Sequence, residues 1–248
     1  MVKGQLSGKD KAIIFDGDDT LWETQPLYDA AKEKFLFVLQ QHGFTQSDIV
    51  ALLDKIDTVQ VSSMGFSRER FPSSMVRTYE HLCRTEGRTP RPELQERLFS
   101  IGHSVFQKTP NLYPDALETL YSLRQTHTLV LATKGDREVQ SDRIKTLRLG
   151  PYFDRIYILE RKTEEEYLMI AQELGIALSQ ICVIGNSVRS DINPAIRAGL
   201  RAVLIPRGEW EYEKSTIEGG SLFVVNSLAD AVALIKRQER RGVDEGNT

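Results

Sequence analysis

Six short runs of consecutive apolar residues constrain this chain more than any other feature: Ala12–Phe15, Leu129–Ala132, Ile156–Leu159, Ile181–Ile184, Ala202–Ile205 and Leu222–Val225. Each is continuous rather than alternating, the pattern of a strand covered on both faces. Helical periodicities separate the later runs, over Asp115–Gln125, Arg137–Leu149, Thr163–Leu174, Asp191–Ala198 and Ser227–Lys236. The third of these opens with Thr163-x-x-Glu166, a capping box, ahead of apolar Leu168, Ile170, Ala171 and Leu174. Strand and helix in alternation imply βαβ units, hence an α/β fold around a parallel sheet.

The interval from Phe15 to Leu129 breaks the alternation. It holds four amphipathic patterns instead, within Leu27–Gln41, Ser47–Ile56, Ser73–Cys83 and Glu93–Phe106. In the last, Leu94, Leu98, Ile101 and Val105 recur at helical spacing. Residues 25–109 are therefore expected to form a helical domain inserted into a discontinuous sheet domain of residues 1–24 and 110–248. Pro110 and Pro114 mark the return to the sheet. The charged tail Arg237–Thr248 is expected to be disordered.

Composition narrows the function classes. The 248 residues carry 32 Lys and Arg against 35 Asp and Glu, so the net charge is −3 and nucleic acid is not the expected partner. No apolar run approaches the ~18 residues needed to cross a bilayer. Met1–Asp10 is polar, without the apolar stretch of a signal peptide. Cys83 and Cys182 lie far apart in apolar patterns, as buried free thiols in a reducing compartment would. A cytoplasmic enzyme or binding protein is the expectation.

In a parallel α/β sheet, ligands bind beyond the carboxyl ends of the strands. Asp16-Gly17-Asp18-Asp19-Thr20 follows the first run, Thr133-Lys134-Gly135 the second, Arg161-Lys162 the third, and Gly185-Asn186-Ser187-Val188-Arg189-Ser190-Asp191 the fourth. Together they fit phosphoryl transfer through a covalent intermediate. Asp16 is placed to attack phosphorus. Asp18 gives a proton to the leaving oxygen and later takes one from water. Carboxylates this close would repel a phosphate unless a Mg²⁺ ion bridged them, with Asp16 and the Asp191 region offering hard oxygen ligands. Thr133, Lys134 and Gly135 are the candidate phosphate binders, the hydroxyl and the backbone N–H groups cradling phosphate oxygens. Lys162 neutralises the nucleophile and the transferring group.

In this order, the residues resemble the haloacid dehalogenase (HAD) superfamily. Asp16-Gly-Asp18-Asp-Thr20 is similar to its first motif, Asp-x-Asp-x-Thr, with Thr133 similar to the second, Lys162 to the third and Gly185–Asp191 to the fourth. The resemblance implies a Rossmann-like core with helices on both faces and a Mg²⁺-dependent phospho-aspartyl mechanism. It also implies a helical cap inserted between the first two motifs. Asn186 departs from the pattern, which usually has an acidic metal ligand there. Asp16, the Asp18 backbone carbonyl, Asn186 and Asp191 are the candidate metal ligands, and Asp191 either binds directly or orients Lys162.

The expected activity is hydrolysis of a small-molecule phosphate monoester. The alternatives are a phosphomutase or a catalytically weak phosphate-binding protein that keeps the fold. Arg68 and Arg70, between cap helices, are candidates for reading the leaving group. His42, His81, His103 and His127 are expected at the surface, and Trp22 as a packing residue. Oligomeric state is not legible in the sequence.

Overall fold

A computed structural model describes residues 9–208 and 210–245. In chain order the regular elements are β1 (Ala12–Phe15), β2 (Trp22–Glu23), α1 (Gln25–Gln41), α2 (Ile49–Met64), α3 (Arg70–Thr85), α4 (Pro92–Gln107), β3 (Asn111–Leu112), α5 (Ala116–Leu123), β4 (Thr128–Lys134) and α6 (Arg137–Thr146). They continue with β5 (Arg155–Leu159), α7 (Glu164–Leu174), β6 (Ile181–Gly185), α8 (Asn193–Arg197), β7 (Arg201–Leu204), β8 (Leu222–Val224) and α9 (Leu228–Glu245). Two compact units result. One takes in the chain up to Trp22, Leu112–Lys134 and Ile144 onward; the other comprises Glu23–Asn111 and Gly135–Arg143.

The first unit is built on a six-stranded parallel sheet of order β5-β4-β1-β6-β7-β8. Its continuous apolar runs are explained by cover on both faces. Ile13, Phe15, Leu129, Leu131, Cys182 and Ile184 pack with Leu120, Leu234 and Ile235 of α5 and α9. Ala12, Ile14, Val130, Ala132, Ile181 and Val183 pack with Tyr167 and Ile170 of α7 and Ala195 of α8. The outer strands differ from the sequence expectation: Ile156 in β5 is 39% exposed and Val224 in β8 is 57% exposed. Edge strands have one neighbour and less cover, although their sequence is as apolar as that of the centre.

Helices α1–α4 of the second unit enclose their own core, including Phe35, Leu39, Phe44, Leu53, Met75, Tyr79 and Leu98. Gly102 in α4 meets the α3 backbone. A Cβ there would lie 2.7 Å from the Pro72 Cα, so glycine permits the close approach.

Several expectations need correction. Within the tail, residues 237–245 are helical, because Leu228, Ala231, Leu234 and Ile235 bury one face of α9 and carry the charged turns beyond them; residues 246–248 lie outside the described residues. His127 is 1% exposed rather than at the surface, and burial holds its imidazole below its usual pKa although Glu239 lies 3.2 Å from Nε2. Arg70 is buried: it pairs with Asp57, whose other oxygen accepts from Ser74 Oγ at 2.8 Å. A guanidinium held this way braces α2 against α3. Arg68, by contrast, is exposed and pairs with Glu138 at 2.7 Å. Removing one partner of a buried pair costs about 3–5 kcal/mol, while an exposed pair contributes roughly 0.2–1 kcal/mol. Arg70→Ala is therefore expected to lower the urea midpoint strongly and Arg68→Ala to leave it nearly unchanged. Equal, small shifts would show that the Arg70–Asp57 pair does not brace the helices.

Candidate active site

Strand register assembles the site. Phe15 pairs with Leu131 on one side and Ile184 on the other. Asp16, Thr133 and Gly185 therefore lie together at the carboxyl edge of β1, β4 and β6. The Asp16 N–H still donates to the Ile184 carbonyl at 2.9 Å, which fixes the residue at the strand tip.

Lys162 joins the strand ends. Its Nζ donates to Asp16 Oδ1 and, at 2.7 Å, to Asp191 Oδ1, and all three side chains are buried. The capped start of α7 positions the lysine: the Glu166 carboxylate accepts from the Thr163 N–H at 2.9 Å, one residue further on. Burial opposes the ammonium charge, but Asp16 and Asp191 outweigh it and raise the lysine pKa well above its ordinary value. Burial, with Asp191 beside it, pushes the Asp16 carboxyl up to about 7; Lys162 opposes the rise and Asp18 adds to it. One ammonium thus falls short of compensating the carboxylates around Asp16.

Gly185 makes room for this arrangement. A Cβ at that position would overlap the Asp191 carboxylate. The other oxygen of Asp191 accepts from the Ser187 N–H at 3.0 Å. Gly17 has a similar role, since a Cβ there would strike the Trp22 ring and come within 3.0 Å of Thr133 Oγ1. The turn after β1 closes on the Gly17 carbonyl, which accepts from Leu21 N–H at 2.8 Å, and Asp19 adopts φ 58°. Trp22 is fully buried and its Nε1–H donates to Asp18 Oδ1, so the expected packing residue also aims the second carboxylate. Thr133 is fully buried, and its hydroxyl has no hydrogen-bond partner among the described residues.

The metal-ligand candidates do not converge as a cluster of acids. Among the described residues, no group of three or more His, Cys, Asp or Glu side chains is arranged to hold a metal. Asp191 accepts from Lys162 Nζ through one oxygen and from the Ser187 N–H through the other. The other candidate donors are oxygens of three kinds: the Asp16 carboxylate, the Asp18 backbone carbonyl and the Asn186 amide, whose Oδ1 accepts from Thr20 Oγ1 at 3.4 Å. Such a set suits a hard cation that completes its shell with water.

Lys134 lies at the same edge but is already engaged: its Nζ donates to Glu213 at 2.6 Å and to Ser190 Oγ at 2.7 Å. Gly135 follows in the turn, with φ 139°. Sequence reasoning missed Glu213, Ser187, Ser190 and the steric role of Gly185. The two serines stood inside the quoted motif, whereas nothing in the Glu213 neighbourhood marked it.

The chain belongs to the haloacid dehalogenase-like hydrolase family, whose pattern matches residues 11–199. It is similar to the N-acylneuraminate-9-phosphatase of Rattus norvegicus, 25% identical over 202 residues, covering 78% of this chain and 81% of the relative. It is also similar to the glyceraldehyde 3-phosphate phosphatase of Methanopyrus kandleri, 25% identical over 208 residues, covering 81% and 86%. A haloacid dehalogenase-like family hydrolase from Xanthomonas campestris has the same fold, with TM-score 0.78 at 22% identity over 98% of this chain and 97% of that one.

Because a methyl group at Gly185 competes with the Asp191 carboxylate, Gly185→Ala is expected to cost about 1–3 kcal/mol. Gly150, with nothing within 4 Å of its Cβ position, serves as the control. Thermal unfolding of the two alanine variants checks this, and a Gly185→Ala protein as stable as Gly150→Ala would show that the contact yields easily.

Proposed function

We propose that this protein is a Mg²⁺-dependent phosphatase, hydrolysing a small-molecule phosphate monoester through a phospho-aspartyl intermediate. The observation that carries the reading is the buried Asp16–Lys162–Asp191 array at the sheet edge. The named phosphatases among the relatives favour hydrolysis over phosphoryl return in a mutase.

In this reading Asp16 attacks phosphorus, the bond to the leaving oxygen breaks, and Asp18 supplies that oxygen with a proton. Water then attacks the phospho-aspartate, giving up a proton to Asp18, and inorganic phosphate leaves with Asp16 regenerated. Trp22 keeps Asp18 turned toward the reaction. The unpartnered Thr133 hydroxyl donates to a phosphate oxygen, which supplies the hydrogen bond that burial otherwise denies it. Lys162 holds Asp16 in its attacking position and offsets charge on the transferring group. Backbone N–H groups near Gly135 would cradle further phosphate oxygens.

The residues fit a divalent cation. Asp16, Asp18 and Asp191 against Lys162 leave a formal charge of −2, while Lys134 and Glu213 cancel. Asp16, the Asp18 carbonyl and Asn186 would hold the ion, and Asp191 contributes charge through Lys162 rather than as a direct ligand. When bound, Mg²⁺ supplies Lewis-acid charge that draws phosphate toward a carboxylate nucleophile. The helical unit we take as a cap that selects the leaving group. The relatives' named substrates, N-acylneuraminate 9-phosphate and glyceraldehyde 3-phosphate, belong in the first assay panel.

Phosphate release from that panel is expected with Mg²⁺ and is expected to vanish on chelation. Asp16→Asn keeps the size of the side chain but removes the attacking charge, and should lower turnover by roughly 10³-fold or more. Asn186→Asp should preserve or tighten Mg²⁺ binding, and Asn186→Ala should raise the Mg²⁺ requirement moderately. Turnover by a folded Asp16→Asn protein, or undiminished turnover in chelator, would overturn the mechanism.

A further inference from the structure

Glu213 stands on the segment after β7, outside every motif of the site, and yet gathers three donors from two other strand ends. Its Oε1 accepts from Lys134 Nζ at 2.6 Å, and its Oε2 accepts from Ser187 Oγ and Ser190 Oγ, each at 2.6 Å. The acceptors continue inward. Ser190 Oγ also accepts from Lys134 Nζ at 2.7 Å, and Ser187 Oγ accepts from the Ser190 N–H at 2.9 Å. Lys134 and Glu213 have side chains only 13% and 15% exposed, so these bonds face little competition from water.

The serines belong to an unusual stretch of backbone. Val188–Ile192 forms a single π-helical turn, capped by Ser187. Single π turns occur frequently at functional sites. Here the turn carries Asp191, which grips Lys162 and, through it, Asp16. A π turn is intrinsically less favourable than an α turn, so something must hold it. The Glu213 carboxylate bonds both ends of its first loop and ties them to the end of β4.

We propose that Glu213 is a positioning residue: it latches Lys134 and the Ser187–Asp191 turn together, and thereby keeps Asp191 and Lys162 aligned on the nucleophile. The inference rests on the proposed phosphatase reading for its catalytic consequence but not for its structural one. A carboxylate is required because it can accept from an ammonium and two hydroxyls at once. An amide oxygen accepts from fewer donors and turns an NH₂ group toward the ammonium.

Steady-state phosphate release and amide hydrogen exchange together test the latch, on wild type, Glu213→Ala, Glu213→Gln, Lys134→Ala and the Glu213→Ala/Lys134→Ala double variant. Small misplacements of catalytic groups can cost ~10²-fold. Glu213→Ala should therefore lower kcat by roughly 10- to 100-fold with KM within about threefold of wild type, and Glu213→Gln should fall between. The double variant should be no worse than the worse single, since the residues act as a unit. Exchange should quicken in residues 187–192 and not in the sheet. Wild-type kcat in Glu213→Ala, unchanged exchange over 187–192, or faster exchange throughout the sheet in both Glu213 variants would overturn the proposal. The last outcome would make Glu213 a brace of the fold. Absence of phosphate release from the wild type would sink the phosphatase reading instead, and the exchange comparison would still decide the latch.

Discussion

A lysine ammonium buried between two carboxylates is the interaction on which the sheet edge depends. Removing a charge from water is costly, and a lone buried ion is not tolerated. Lys162 escapes that cost because Asp16 and Asp191 reach it from two neighbouring strands. The array needs the parallel register of β1 and β6, the capped start of α7 and a glycine at position 185. Each condition is met by a separate segment, so the site reports the integrity of the whole sheet unit.

The same array is electrostatically incomplete. Burial, then Asp191 and Asp18, push the Asp16 carboxyl pKa up to about 7 despite Lys162, a poor state for the nucleophile we propose. Added positive charge would lower that pKa, as the cation of the proposed mechanism would do beside Asp16. In the proposed mechanism Asn186 would be a neutral ligand, and Asp191 would supply charge near the ion.

Around this centre, glycines and aromatic rings set distances that charges alone would not. Gly17 allows Trp22 to lie beneath the turn, and Trp22 holds Asp18. Opposite, the Glu213 network stiffens the turn that carries Asp191. Steric fit on one side and a hydrogen-bonded latch on the other hold acidic groups that would otherwise drift apart.

Sheet class, strand order of appearance and the residues at the strand tips were legible because they depend on local pattern. A continuous apolar run reads as a covered strand, and Asp16, Thr133, Lys162 and Gly185 stand at or just beyond the ends of such runs. Burial of His127 and Arg70 was not legible, because the partners that cover them, Glu239 and Asp57, are brought by other helices. The tail's helix was hidden by its charged composition, which counts residues but not the apolar face of the preceding turns. Glu213 was invisible for the same reason: a carboxylate in a loop declares nothing until folding brings Lys134, Ser187 and Ser190 to it. The sequence by itself determined which segments become strands and which residues stand at their tips, since both follow from periodicity along the chain. Tertiary structure alone decided which charges meet, because pairing depends on strand order and register between segments remote in sequence.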